Sequence, residues 1–571
     1  MTQSLPTVGL LLALVSALGA CGDDGGSGAD PSEVLFDPGR IVEIDITLAD
    51  SDWQALREQT RTIDALLGDD CQSEPFGSPF TYFEGDVTID GELFAQVGVR
   101  KKGFFGSLSD IKPSLKIKLD EYVEGQELYG YERLTLNNNR QDPARIKQCL
   151  SYQLFAAAGV PAPRCNFARV TVNGEDLGLY ANVETVKKRF LRRYYEDEDG
   201  MLFEGTLSDF REGWSGTLEP KTNELEPDFA RPDELTAILA SANDSELIEA
   251  LEPVVDLDLF YSFWAMEAFV AHGDGYAGNT NNYFLYVDPD DQRIDFVPWG
   301  VDSTFNQFAV QGPGGAPAAS VYVNGVLAKR LYQIPAGRAR YFERLEELLE
   351  QVWDESALLA EIDRMESLIE AVAADDPLHA ARILADDIDA VRDFVEERRD
   401  LFQAEIDVPP ELDQPLRDQF CFRPLGTASG TFDTSYGSNA DPNPFAAGSS
   451  TLAVTLDDEA QAIPGPFGSN AGENEDDASL ATVTVIAQVD ATLGAERYLV
   501  AAVSLSKTVF GPGTYDIEPL RGFLVDIVPN TGQFTVVGFL ATGTITLTAA
   551  GLGDGDPVIG SFSAEVYASP F

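Results

Sequence analysis

HGDGYAGNTNNYFLY, residues 272–286, followed after an acidic turn by FVPWGVDSTF, residues 296–305, is the stretch on which the reading of this chain turns. It places Asp274 and Asn279 five residues apart in a Gly-rich loop. A strand-like run, Asn282 to Val287, comes next, and a second apolar run, Ile294 to Pro298, leads to Asp302. Upstream, Leu259 to Ala271 is rich in Phe, Trp, Met and Ala and predicts a buried helix. Asp, Gly and Asn also gather in turns for backbone reasons alone, so the pattern draws its weight from the order helix, polar loop, hairpin, carboxylate. Chemically it offers carboxylate and amide oxygens that can converge on a divalent cation while one carboxylate stays free to accept a proton.

Protein kinases use that order of groups: one Asp orients the acceptor hydroxyl, an Asn five residues on holds a metal, and a second Asp beyond a hairpin holds metal on the nucleotide phosphates. Three further segments agree: GVRKKG (98–103) with KPSLKIKL (112–119), LYGYERLTLNNN (128–139), and GVPAPRCNFARVTVNGEDLGLYANVE (159–184). With these, roughly residues 40–405 resemble the CotH kinase family, atypical kinases named after a spore-coat protein. The resemblance implies a two-lobed, atypical protein-kinase-like fold, use of ATP with Mg²⁺ (or Mn²⁺), and phosphorylation of proteins. In its terms Asp274 is the catalytic base or hydroxyl-orienting group, Asn279 and Asp302 are metal ligands, and Asn282 is an additional polar ligand.

The nucleotide side of such a site is expected upstream. Gly103-Phe-Phe-Gly106 sits between two strand-like runs and reads equally as an ordinary hairpin loop or as a loop covering phosphates, where glycine lets backbone N–H groups approach. A kinase needs one strand lysine at the phosphates. Lys112 and Lys116 both match, and Lys116 is preferred because Lys112 precedes a proline at the strand's start; a solvated strand face is the usual fate of lysine. Glu184 ends the hairpin turned by Asn173-Gly174 and falls at the hinge between lobes, as a nucleotide or metal contact or as an ion-pair partner of Lys187 or Lys188. The helix expected from Asp142-Pro143 to Gly159 carries no Glu facing the strand lysine, a departure from typical protein kinases.

Composition bounds the rest. The chain has 571 residues, enough for two or three domains, and a formal charge of −56 from 39 Lys plus Arg against 95 Asp plus Glu. Nucleic acid is excluded as a partner, since its phosphates would be repelled. Arg100, Lys101, Lys102, Lys112, Lys116 and Lys118 nevertheless lie within 19 positions, a basic island suited to a nucleotide triphosphate. Residues 1–20 read as a lipoprotein-type signal: an apolar run too short to span a membrane, ending in Leu18-Gly19-Ala20-Cys21, where Cys21 is the lipidation candidate. Residues 21–39 read as a flexible tether. The expected location is therefore the cell envelope, with contact to the membrane only through that anchor. Export permits one or two disulfides among Cys71, Cys149, Cys165 and Cys421, with three complete pairings open. His272 and His379 are the only histidines and no C-x-x-C occurs, which argues against zinc; no G-x-S-x-G elbow supports a hydrolase.

The kinase-like region is expected over 40–406 and ends in long amphipathic helices near 336–354, 356–373 and 378–406, with a Gly/Pro/Ala-rich segment, 305–322, before them. A Pro-containing linker, 407–420, follows. From 421 to 571 the runs TLAVTL, ATVTVIAQV, RYLVAAVSL and others predict an all-β sandwich with no motif of chemistry, a loop over 460–481, and a separately folding unit. The whole is an α+β chain: an exported atypical kinase acting on Ser or Thr of an exported protein substrate. Two other readings remain, a kinase-fold binding or structural surface protein and protein adenylylation by the same metal-nucleotide site.

Overall fold

The computed structural model describes residues 30–568 apart from 69, 307–317, 374–375, 380–381, 414, 418, 442, 444, 475–479, 491–496, 519–520 and 529–532. The signal, Cys21 and most of the tether lie outside the described residues, as does the centre of the Gly/Pro/Ala-rich segment.

Seven strands close a barrel: β1 (Ile41–Leu48), β2 (Phe83–Ile89), β3 (Glu92–Lys102), β4 (Ser114–Lys118), β5 (Arg133–Asn137), β6 (Cys165–Val172) and β7 (Glu175–Val183). Their order is β1-β2-β3-β4-β5-β7-β6, with β6 closing in parallel on β1. Alternation drives closure: Val42, Ile44 and Ile46 of β1 and Leu115 and Ile117 of β4 point into a dry interior. The two tight hairpins turn at Asp90-Gly91 (φ 49° and 87°) and Asn173-Gly174 (φ 52° and 80°), the paired left-handed residues such two-residue turns require.

Two helices accompany the barrel, and both are shorter than their sequence signals. The sequence from Asp50 predicts a helix through about Leu67, and the structure has α1 (Asp50–Glu58). Gln59 leaves the helix because its amide is drawn to Thr81, donating to Oγ1 at 2.7 Å and accepting from N at 3.2 Å. The helix expected from Pro143 is α2 (Lys147–Ala157). Arg145 adopts φ 59°, and the Asp142 carboxylate caps the delayed start by accepting from Lys147 N at 2.8 Å.

Beyond the barrel come α3 (Lys188–Leu191), β8 (Met201–Gly205), β9 (Leu218–Pro220), α4 (Ala230–Ser241), α5 (Leu247–Leu251), α6 (Leu257–Phe269), α7 (Tyr276–Asn279), β10 (Tyr283–Val287) and β11 (Ile294–Pro298). The strands pair as β11-β10-β8-β9. Then follow α8 (Val326–Gln333), α9 (Pro335–Gln351), α10 (Glu355–Ala373) and α11 (Leu384–Asp407). Helix α6 is the hub: Phe260, Phe263, Trp264 and Met266 are fully buried on all sides of it, so its sequence shows little amphipathic stripe. Short α8 was not anticipated.

The C-terminal region is one ten-stranded sheet rather than two separate ones. Its strands are β12 (Pro424–Ser435), β13 (Ser449–Leu456), β14 (Glu459–Ala460), β15 (Phe467–Glu473), β16 (Leu480–Asp490), β17 (Arg497–Ser506), β18 (Gly513–Asp516), β19 (Gly522–Val528), β20 (Gln533–Ala549) and β21 (Pro557–Ala568). The sheet rolls on itself, so that Ser450 Oγ donates to Gly468 O at 2.8 Å and Ser469 Oγ to Ser449 O at 3.1 Å between β13 and β15. The rolled faces enclose Phe432, Leu452, Val483, Val503 and Val566, which gives the layered core expected of a sandwich. The loop expected over 460–481 contains β15.

This sheet does not stand apart from the rest. Phe420, Phe422, Phe539 and Tyr567 form one apolar cluster with Ile63, Leu66, Phe76 and Leu207, and Phe104 and Phe105 of the Gly-bearing loop pack against it. Cys71 is bonded to Cys421 across 350 residues, and Cys149 to Cys165. Those two pairs are the choice among the pairings left open by the sequence.

Candidate active site

The loop that carries Asp274 is built on α6. Glu267, fully buried, accepts the N–H groups of Tyr276 at 2.6 Å and Ala277 at 2.8 Å, the unpaired donors at the start of α7. Burial pushes its carboxyl up to about 8, against the pull of those two N–H bonds. Gly275 is required there, since a Cβ would come within 2.1 Å of Glu267 Oε1. Asn324 holds the other side, donating from Nδ2 to Gly278 O at 2.6 Å. Asp209, also buried, accepts from Tyr276 Oη at 3.2 Å.

Three side-chain amides converge on Asp274. Asn279 and Asn281 donate to Oδ1 at 2.5 and 3.2 Å, and Asn282 donates to Oδ2 at 2.7 Å. Asp274, Asn281, Asn282 and Asp302 line one cleft of about 310 Å³ between the barrel and the helical lobe. Gly300 makes room for Asn282, whose Oδ1 would lie 2.6 Å from a Cβ at that position. Burial raises the Asp302 carboxyl to about 6; its own backbone and the Lys102 ammonium pull it down, and the Asp274 charge pushes it further up. A half-buried carboxylate beside a second one is a place where another cation relieves repulsion.

The barrel supplies the opposite wall. Lys116 on β4 and Lys102 on β3 both reach the cleft, with Gly103, Gly106 and Thr185. Burial lowers Lys116 to about 7 and Lys102 to about 8, opposed by the Glu204 charge at Lys116 and by the Asp302 charge at Lys102. Lys102 donates to Asn137 Oδ1. Glu204 on β8 pairs with Lys221 at 2.6 Å within the same cleft.

Of the residues picked out in the sequence, Asp274, Asp302, Asn282, Lys116, Gly103 and Gly106 come together. Three do not. Lys112 is wholly buried elsewhere, its ammonium 2.6 Å from Asp376 and 2.7 Å from Leu179 O, because the proline after it turns the chain before the strand begins. Glu184 is buried among Arg164, Arg193 and Tyr131, at 3.2 Å and 2.7 Å from the two guanidinium groups, rather than beside Lys187 or Lys188. Asn279 lies behind Asp274, and its Oδ1 accepts from Arg417 Nη1. Left-handed Thr280 and Asn282, each at φ 52°, turn the chain so that the next two asparagines face the cleft in its place. Lys102 was visible only as part of the basic island; Glu204 and Lys221 fall in a stretch without periodicity, and Arg417 in the presumed linker.

Among the described residues no group of three or more His, Cys, Asp or Glu side chains is placed to hold a metal ion. A cation here would draw on the Asp302 carboxylate, the Asn282 amide oxygen and oxygens of its own ligand, a hard donor set of the kind Mg²⁺ or Mn²⁺ accepts.

A cleft with paired lysines facing paired aspartates across the junction of a strand-rich lobe and a helical lobe belongs to a kinase-like protein. The chain is a member of the CotH kinase family, whose profile, described as CotH kinase protein, matches residues 99–402. It is 25% identical over 198 residues to the inner spore coat protein H of Bacillus subtilis, covering 33% of this chain and 53% of that relative. It is 25% identical over 317 residues to the same organism's inner spore coat protein H-like protein, covering 53% of this chain and 93% of the relative. Invasin CotH2 of Rhizopus delemar is 24% identical over 247 residues, 39% of this chain and 41% of the invasin. The Helicobacter pylori proinflammatory kinase CtkA aligns over 54% of this chain and 96% of its own at 11% identity and a TM-score of 0.28, too distant to inform the site. Family membership implies use of a nucleotide.

Proposed function

We propose that the protein is an ATP-dependent phosphotransferase of the cell envelope that moves the γ-phosphoryl group to a Ser or Thr hydroxyl of an exported protein. The observation that carries this reading is the placement of Lys102 and Lys116 opposite Asp274 and Asp302 in one cleft. Lys102 and Lys116 neutralise the phosphates, and the loop from Gly103 to Gly106 lies over them. Asp302 and Asn282 would hold Mg²⁺ (or Mn²⁺), which when bound would supply positive charge to neutralise the phosphates, and Asp274 beside them stays free to accept a proton. The acceptor oxygen attacks the γ-phosphorus, the bond to the β–γ bridging oxygen breaks, and the hydroxyl proton passes to Asp274, whose orientation the three asparagines fix.

The extracytoplasmic setting draws support from the Leu18–Cys21 motif, from two disulfides, and from relatives named for a spore coat and an invasin. Incubation with Mg²⁺ or Mn²⁺ and ATP labelled separately on the α and γ phosphates tests the reaction. Transfer of the γ label to protein supports it. Transfer of the α label means adenylylation, and nucleotide-dependent stabilisation without transfer means a binding protein.

A further inference from the structure

We propose that Arg417 is a positioning residue for the Asp274 loop, and that Arg417 and residues 420–422 are a working part of the site rather than a linker. This rests on the phosphotransfer reading above. Helix α7 has four residues, too few to hold itself, and it ends on carbonyls with no partner in the helix. Asn324 partners two of them, its N donating to Ala277 O at 2.8 Å and its Nδ2 to Gly278 O at 2.6 Å, and Arg417 partners the last, Asn279 O. Its Nη1 donates to Asn279 Oδ1, and its Nη2 donates to Asn279 O at 2.5 Å and Thr280 Oγ1 at 2.7 Å. With its oxygen engaged, the Asn279 amide is turned so that Nδ2 meets Asp274 Oδ1 at 2.5 Å. A planar guanidinium spans this set of acceptors; an ammonium does not.

Arg417 is fixed in turn. Its guanidinium carbon lies 5.6 Å from the Trp214 ring and 5.3 Å from that of Phe420, and its carbonyl accepts from Arg211 Nη1 at 2.9 Å. Phe420 N donates to Gln72 Oε1 at 2.9 Å, Cys421 is bonded to Cys71, and Phe422 N donates to Leu66 O at 2.7 Å. Arg417 and residues 420–422 thus tie the connection between α1 and β2 to the end of the Asp274 loop. Burial, and then the neighbouring Arg211 charge, lower Arg417 to about 10, so a cation is kept here against an electrostatic cost, opposed by Asp209 and Asp274.

The test uses the full chain with Arg417→Ala and Arg417→Lys. Amide hydrogen exchange over residues 275–282 should rise by about 10-fold or more in the alanine variant with α6 and the barrel unchanged. The γ-transfer kcat should fall by about 10²-fold, as expected for a misplaced catalytic group, while Mg²⁺-ATP affinity stays within about 3-fold. Lysine should recover only part of both. Asn279→Ala should reproduce the kcat loss and add little to Arg417→Ala, as expected of residues acting in one chain; it also serves if Arg417→Ala does not fold. Unchanged exchange in the loop, or a rise spread over the whole molecule, overturns the proposal. If the wild type transfers no γ-phosphate, the phosphotransfer reading falls, and the exchange measurement alone still decides whether Arg417 holds the loop.

Discussion

Lys112 and Lys116 stand four residues apart and looked interchangeable, yet substituting each by methionine should produce opposite failures. The Lys112 ammonium is buried with Asp376 at 2.6 Å, accepted by Leu179 O, and sits 4.8 Å from the Tyr180 ring. Burial pushes the Asp376 carboxyl up, but the Lys112 charge and hydrogen bond, with the Arg145 and His379 charges, together outweigh it and hold the group below its ordinary range. Lys112→Met leaves that carboxylate facing Arg145 at 3.5 Å as its remaining cation. Breaking a buried pair from one side costs about 3–5 kcal/mol, and the residual Arg145 contact argues for the lower end. At about 2 °C per kcal/mol for a large domain, melting should fall by about 6 °C. Mg²⁺-ATP affinity of the folded fraction should hold.

Lys116→Met removes an amine whose main opposing charge is that of Glu204, itself 2.6 Å from Lys221. The unfolded chain keeps the Lys116 proton up to pH 10.5, the folded one only to about 7, so the wild type is penalised below pH 7 and the penalty fades between there and pH 10.5. The variant should lack that contribution and melt no lower than wild type at neutral pH. It should lose the charge-assisted bond to phosphate, worth about 1.5–3 kcal/mol or about 10- to 100-fold in Kd. Calorimetric Mg²⁺-ATP titration and thermal melts at pH 6, 7.5 and 9 read both quantities. Loss of nucleotide affinity in Lys112→Met with an unchanged melt, or destabilisation by Lys116→Met without loss of affinity, refutes the assignment.

Three other outcomes are expected. Asp302→Ala should weaken Mg²⁺-ATP binding as well as turnover, whereas Asp274→Ala should leave affinity within a few-fold and lower transfer by about 10²-fold or more; equal loss of binding and equal destabilisation in both would sink the separate roles. Since the Asp302 carboxyl is held at about 6, it must shed a proton to accept a cation below that pH, so the metal-dependent part of nucleotide affinity should fall about tenfold per pH unit under pH 6, a slope absent in Asp302→Asn. Ending the chain at Asp407 uncovers Phe76, Phe104 and Leu207 and removes Arg417; melting temperature and nucleotide affinity should both drop, and a truncated protein that binds as well as the full chain would show the sheet to be dispensable.

How much of this was legible beforehand follows from the range of the forces involved. Local signals were sufficient wherever neighbours in sequence decide the outcome: the hairpin turns at Asp90-Gly91 and Asn173-Gly174, the alternation that fills the barrel, and the apolar helix before Asp274. The Asp274 and Asp302 pair could be picked out because each ends a short element whose direction its own sequence dictates. Which amide faces the cleft could not, because φ at Thr280 and Asn282, and not the spacing to Asn279, turns the loop. Lys112 and Lys116 share a pattern and differ only in what lies across from them, an Asp376 that is 264 residues away in one case and an open cleft in the other. Glu184 drew arginines from positions 164 and 193 rather than the adjacent lysines, since a buried carboxylate takes the cations that the closed barrel presents to it. The change of composition after Ile406 was read as a boundary, but apolar contact is indifferent to composition. Phe420, Phe422 and Phe539 found their partners at Leu66 and Phe76, and Arg417 found Asn279, through contacts that exist only once the chain has returned on itself.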